Sequence, residues 1–311
     1  MRTAGRPEGR AVADLRDTAD WEELARRVAR ALAAPVGFVV AQIVWSAIPL
    51  PRGLPVEVGA AIATALFLAL AIATARSAAR HLTSGRERAW VAALGVAIYL
   101  SGFGLVALGV PEPLPRAAMS CGLLCIAAAG GTAGASAIPD RNILIPAILF
   151  MAAADFFVVQ HGTVAIALRH PTGQRFLQAL SLETAPPRPG MPPALVGLAD
   201  ILFLTFFYGC VARFRLREGA TTICFFLIVG STLWLVMLDR WGPVPGLVPM
   251  GLAFLLANWR QFRLTRQEWR LTAGLVAGLA ALYVAFIAWQ RPASTPLAPS
   301  GLREAPPTER R

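Results

Sequence analysis

The sequence predicts an all-α polytopic membrane protein with about nine transmembrane helices, and three observations predict it. Of 311 residues, 56% are hydrophobic and only 15% are charged, whereas a soluble domain carries roughly 25% charged residues. Several apolar runs reach about 18 residues or more, enough to cross a bilayer core as a helix. The net charge is +11, carried entirely by arginine among the basic residues. The arginines sit in short stretches between apolar runs, as in a multispanning chain, and not as a nucleic-acid-binding surface.

Taken in order, residues 1–32 form a polar, Arg-rich N-terminal segment. Thr18-Ala19-Asp20-Trp21-Glu22-Glu23 reads as a helix start with acids in its first turn. Leu24 to Leu32 then reads as a short amphipathic helix on the membrane surface. Apolar spans follow at 33–50, 54–75, 89–110, 117–138, 142–161, 193–212, 220–238, 242–258 and 271–289. Residues 33–141 form an N-terminal group of helices and 142–258 a core. Residues 259–290 add a basic loop and an extra C-terminal helix, and 291–311 read as a disordered tail rich in Pro, Ser and charge. The span at 242–258 contains Pro243, Pro245, Gly246 and Pro249, so its first half is expected to be unwound.

With the N-terminus inside, the inner segments hold 19 of the 29 arginines. That bias predicts a cytoplasmic N-terminus and an outer C-terminus. So Arg-rich a chain is expected in a bacterial inner membrane. The tryptophans near span ends read as interfacial anchors, Glu57 as a snorkelling surface acid, Asp239-Arg240 as a loop pair, and His161 and His170 as solvated. Cys121 and Cys125, one turn apart, read as small buried residues, with no metal or cofactor implied.

Two spans carry a carboxylate, Asp155 in Ala153-Ala154-Asp155-Phe156 and Asp200 in Gly197-Leu198-Ala199-Asp200. An ionisable group inside lipid is costly and usually functional. At 1.5 Å per residue, both acids lie roughly 10 Å below the outer surface on consecutive antiparallel spans. Facing carboxyls cannot both ionise, so the pair would hold one proton. The ionised member could then act as general base on a water while the other polarises a carbonyl. Gly197, one turn before Asp200, would allow close approach of a neighbouring backbone.

The pattern resembles the presenilin and signal-peptide-peptidase family of intramembrane aspartyl proteases, as a divergent, bacterial-like member. That family carries an Asp on one span, Gly-x-Gly-Asp on the next and Pro-Ala-Leu two spans later. Here the matching positions are Asp155, then Gly197, Ala199 and Asp200, then Pro245, Gly246 and Leu247, within about residues 142–258. The family's Tyr before the first Asp is Ala154, the second Gly of its motif is Ala199, and the Ala of Pro-Ala-Leu is Gly246. The resemblance implies catalysis by Asp155 and Asp200, and substrate contact through Gly197, Ala199, Pro245, Gly246 and Leu247. It implies transmembrane or signal-peptide segments as substrates, with no cofactor. The alternating stretch His161 to Leu168 is expected to form a strand that pairs with substrate. Two other readings stand beside this one: a proton-coupled transporter with relaying acids, and a non-catalytic membrane protein that keeps the fold.

Overall fold

The computed structural model describes residues 8–48, 55–111, 113–167, 169–184, 194–238 and 244–290. The tail at 291–311 and the Asp239-Arg240 pair lie outside the described residues. Met1–Arg263 form one compact unit and Leu264–Arg311 a second. Among the described residues, seven helices are long and apolar enough to cross a membrane: Asp20–Trp45, Val56–His81, Gly85–Ala107, Leu114–Ala137, Arg141–Gln160, Glu218–Met237 and Arg266–Phe286. Nine spans were expected. The two segments that fall short are helices of 17 and 12 residues, and both begin after non-helical chain.

Helix α1 (Glu8–Ala47) runs unbroken through Pro35. The boundary expected at residue 32 is therefore absent, and Leu24 to Leu32 is no separate surface helix. A mid-helix proline removes one hydrogen bond and crowds the preceding turn. Burial on both sides of it holds the axis: Val28 and Ala31 pack with Ala78, Leu82 and Val91, and Phe38 packs edge-on against Phe67 at 5.4 Å. Helices α2 (Val56–His81) and α3 (Gly85–Ala107) meet at a tight turn. There the Glu87 N–H donates to Ser84 Oγ at 3.2 Å, and the Ser84 N–H donates to the Glu87 carboxylate at 2.7 Å. This reciprocal cap satisfies two otherwise orphaned donors.

Helix α4 (Pro113–Ala137) seats α8 (Leu198–Phe214) through Gly131, where a Cβ would lie 2.8 Å from the Phe206 nitrogen and from the Thr205 Cβ. Only glycine allows backbones to approach so closely. The other face of α8 meets α11 (Leu247–Asn258) and Phe225, the residue that follows α9 (Glu218–Cys224), through aromatic packing, with Phe207 4.8 Å from Phe254 and 5.9 Å from Phe225. A π-helical segment, Phe225–Val229, joins α9 to α10 (Gly230–Met237).

Buried Asn258 fixes the far end of α11. Its amide donates to Thr221 Oγ1 at 2.9 Å and to the Phe254 carbonyl at 3.0 Å, and its oxygen accepts the Arg217 N–H at 2.9 Å. Helix α5 (Leu144–Gln160) is more lightly held, with only Leu144 and Ile148 buried. Asn142, just before it, exchanges hydrogen bonds with the Arg263 backbone at 3.2 and 3.3 Å.

The strand expected at 161–168 is instead a short helix, α6 (Thr163–Ala167), with Leu168 outside the described residues. A short apolar run does not fix its own period, and alanine favours helix. After the amphipathic α7 (Pro171–Ala179), the chain forms β1 (Ser181–Glu183), which pairs antiparallel with β2 (Leu195–Gly197) in the register Leu182 opposite Val196. Both of those side chains are buried. In the second unit, α12 (Arg266–Gln290) starts with its own reciprocal cap between Thr265 and Glu268.

Candidate functional site

Asp200 belongs to the first turn of α8, because β2 occupies the residues before it. The first N–H groups of a helix have no partner within it. The Gly197 N–H, at the junction of β2 and α8, donates to Asp200 Oδ2 at 3.1 Å. Gly197 therefore caps the helix rather than sitting a turn below Asp200 on its side.

Asp155 lies late in α5, and its Oδ2 accepts the backbone N–H of Leu247 at 2.9 Å. Leu247 is the first residue of α11, so its N–H is another orphan of a helix start. The residue before it, Gly246, presses its Cα against the carboxylate of Asp200. A Cβ built there would collide with Asp200 Oδ1 and stand 2.9 Å from Cγ. The two acids thus flank one dipeptide, Gly246-Leu247. With standard backbone dimensions, these contacts cap the distance from Asp155 Oδ2 to Asp200 Cγ at roughly 10 Å.

Both carboxyls open onto a cavity of about 360 Å³ with a mainly apolar wall, including Leu68, Val196 and Leu233. The Ser181 and Thr232 hydroxyls also line it, but they donate to the Leu177 and Ile228 carbonyls within their own segments. Asp155 and Asp200 are the ionisable residues among the described lining.

Of the residues singled out from sequence, Asp155, Gly197, Ala199, Asp200 and Gly246 line the cavity. Leu247 contributes its N–H, and Pro245 precedes it in non-helical chain, as the unwound half-span predicted. The β1–β2 hairpin and the π-helical segment were not foreseen, although both bring Val196 and Val229 to the cavity. The run Pro-Pro-Ala-Leu-Val-Gly before Asp200 carried a strand signal in its short apolar stretch bounded by Pro and Gly. The π segment has no such signal. Cys121 and Cys125 are buried on α4, and Cys125 lies against Gly95 of α3.

The fold and site define a helical protein with the apolar helices of a membrane protein and two acids that flank the start of α11. No protein-family model, curated protein or solved structure matches this chain.

Proposed function

We propose that the protein is an intramembrane aspartyl protease that hydrolyses peptide bonds of transmembrane or signal-peptide segments. One observation carries the reading: Asp155 and Asp200, from different helices, converge on Gly246-Leu247 beside an apolar cavity. In this mechanism the ionised carboxyl removes a proton from water, and the oxygen attacks the scissile carbonyl carbon. The protonated carboxyl donates to the carbonyl oxygen. Collapse of the tetrahedral intermediate breaks the C–N bond, and a proton from the aspartate pair passes to the leaving amine.

The carbonyl of an intact helix is shielded, so the substrate must be extended. The two-stranded β1–β2 hairpin leaves an outer edge on each strand, and Gly197 at the end of β2 is also the cap beside Asp200. An extended segment added to that hairpin would pass the aspartates. The arginine bias supports a bacterial inner membrane with the N-terminus in the cytoplasm.

The test is cleavage of a fluorogenic transmembrane peptide by the purified protein in proteoliposomes, comparing wild type with Asp155→Ala and Asp200→Ala. Loss of turnover in both variants supports the reading. Equal turnover in all three removes it, and proton-driven solute uptake lost in the same variants would assign the acids to transport instead.

A further inference from the structure

A second cavity, of about 550 Å³, lies between α1 and α2 and is lined by Glu23, Arg26, Arg27, Arg30, Arg80 and His81. Four arginines share it with one carboxylate. Their existing partners are unevenly spread. Arg27 pairs with Glu23 at 2.6 Å and with Glu87 at 3.3 Å, and Arg80 pairs with Glu218 at 3.1 Å, a carboxylate that Arg76 also engages. Arg26 donates from Nε to the Glu22 carbonyl at 3.3 Å. Among the described residues, neither Arg26 nor Arg30 has an ion-pair partner. Both are exposed, so two cationic forks remain available at the rim.

The level of this cavity is set by the chain. Ser77 Oγ donates to the Arg30 carbonyl at 3.2 Å, which aligns the basic turn of α1 with the end of α2. Beyond that level both helices become apolar. Val44 lies 18 residues, or five turns, after Arg26 and so shares its face of α1. Val40 and Val44 are 52% and 54% exposed, and they continue an uncovered apolar stripe below the arginines. From Arg30 to Val40 the helix rises about 15 Å, half the hydrocarbon thickness of a bilayer.

We propose that this cavity binds the phosphodiester headgroup of an anionic phospholipid, held by Arg26 and Arg30, with an acyl chain lying along Val40 and Val44. A guanidinium fork matches phosphate oxygens bidentately. The volume exceeds what a bare phosphate fills and suits a glycerol headgroup. This site is separate from the aspartates and does not depend on proteolysis.

The test uses the full chain in neutral detergent. Dihexanoyl phosphatidylglycerol, dihexanoyl phosphatidylcholine and inorganic phosphate are titrated in turn, with Kd read by thermophoresis and retained lipid counted by native mass spectrometry. Arg26→Gln/Arg30→Gln keeps helix propensity and orphans no carboxylate, so circular dichroism should match wild type. Phosphatidylglycerol should bind more tightly than phosphatidylcholine and weaken about 30-fold in this variant at low salt, while Arg169→Gln/Arg175→Gln should leave it unchanged. Equal affinity in wild type and Arg26→Gln/Arg30→Gln would overturn the proposal, as would an equal loss in the control variant. Phosphate binding that needs Arg26 and Arg30, without preference for phosphatidylglycerol over phosphatidylcholine, would assign the cavity to a free anion and overturn the lipid.

Discussion

Gly246→Ala sets the local geometry against the family resemblance. In the presenilin-like motif the residue at this position is alanine, so resemblance alone predicts that the substitution is harmless. The packing predicts the opposite. A Cβ on Gly246 would strike Asp200 Oδ1 and lie 2.9 Å from Cγ. Asp200 would have to turn away, which strains its 3.1 Å bond from the Gly197 N–H, or α11 would have to shift, which pulls Leu247 from Asp155. Overpacking of this kind costs about 1–3 kcal/mol, and loss of a hydrogen bond to a charged acceptor costs about 1.5–3 kcal/mol more if it breaks outright. A displacement near 1 Å in a catalytic pair can cost about 100-fold in rate. The expected outcome is a lower thermal midpoint in detergent and kcat reduced by about two orders of magnitude, with KM changed less. Gly37→Ala is the control, because nothing lies within 4 Å of its Cβ position, and there the midpoint should hold or rise. Wild-type kcat and midpoint for Gly246→Ala would refute the packing argument and favour the motif.

Other outcomes can be checked alongside. Asn258→Ala leaves the Arg217 N–H and the buried Thr221 hydroxyl without their amide partner, and chemical denaturation should show a loss of about 1–3 kcal/mol. Phe207→Ala removes a ring packed between the π-helical segment and α11; the expected loss is about 3–5 kcal/mol in the same assay. Ser84→Ala removes one half of a reciprocal cap and should cost about 1 kcal/mol, read as a lower unfolding midpoint. Arg116→Ala breaks an exposed pair with Glu183, so its effect on stability should stay below about 1 kcal/mol.

The acids, the glycines beside them and the broken span were legible because each violates a rule of its surroundings. Asp155 and Asp200 are charges in apolar runs, and Pro245-Gly246 cannot continue a helix. Their convergence on one dipeptide was only implied by the depth match, since helix rise gives level but not rotation. The strand expected over His161 to Leu168 was misplaced because Thr163 to Ala167 alternates weakly, and local propensity favoured a turn of helix. The strands that do form are three residues each and stand well apart in the sequence, so no local pattern marks them strongly. The continuity of α1 was hidden by the change from a polar, Arg-rich stretch to an apolar run near residue 32, and the usual effect of Pro35 is overridden by tertiary contacts of Val28, Ala31 and Phe38.

Both aspartates also have a structural occupation, and this decides how their roles are separated. Each accepts an N–H that a helix start leaves unpaired, Gly197 before α8 and Leu247 at the head of α11. A purely structural role would account for those bonds without any chemistry. The amide oxygen of asparagine can accept the same N–H, whereas alanine cannot, and asparagine cannot exchange the proton that hydrolysis requires. If the acids serve only as caps, Asp155→Asn and Asp200→Asn should restore whatever function Asp→Ala removes. If they are the acid and base, Asn should restore the unfolding midpoint while turnover stays down by about 100- to 10,000-fold. The double variant should then lose scarcely more than either single one, because the pair acts as a unit. Peptide cleavage recovered in the asparagine variants, with midpoints tracking it, would leave the carboxylates as caps.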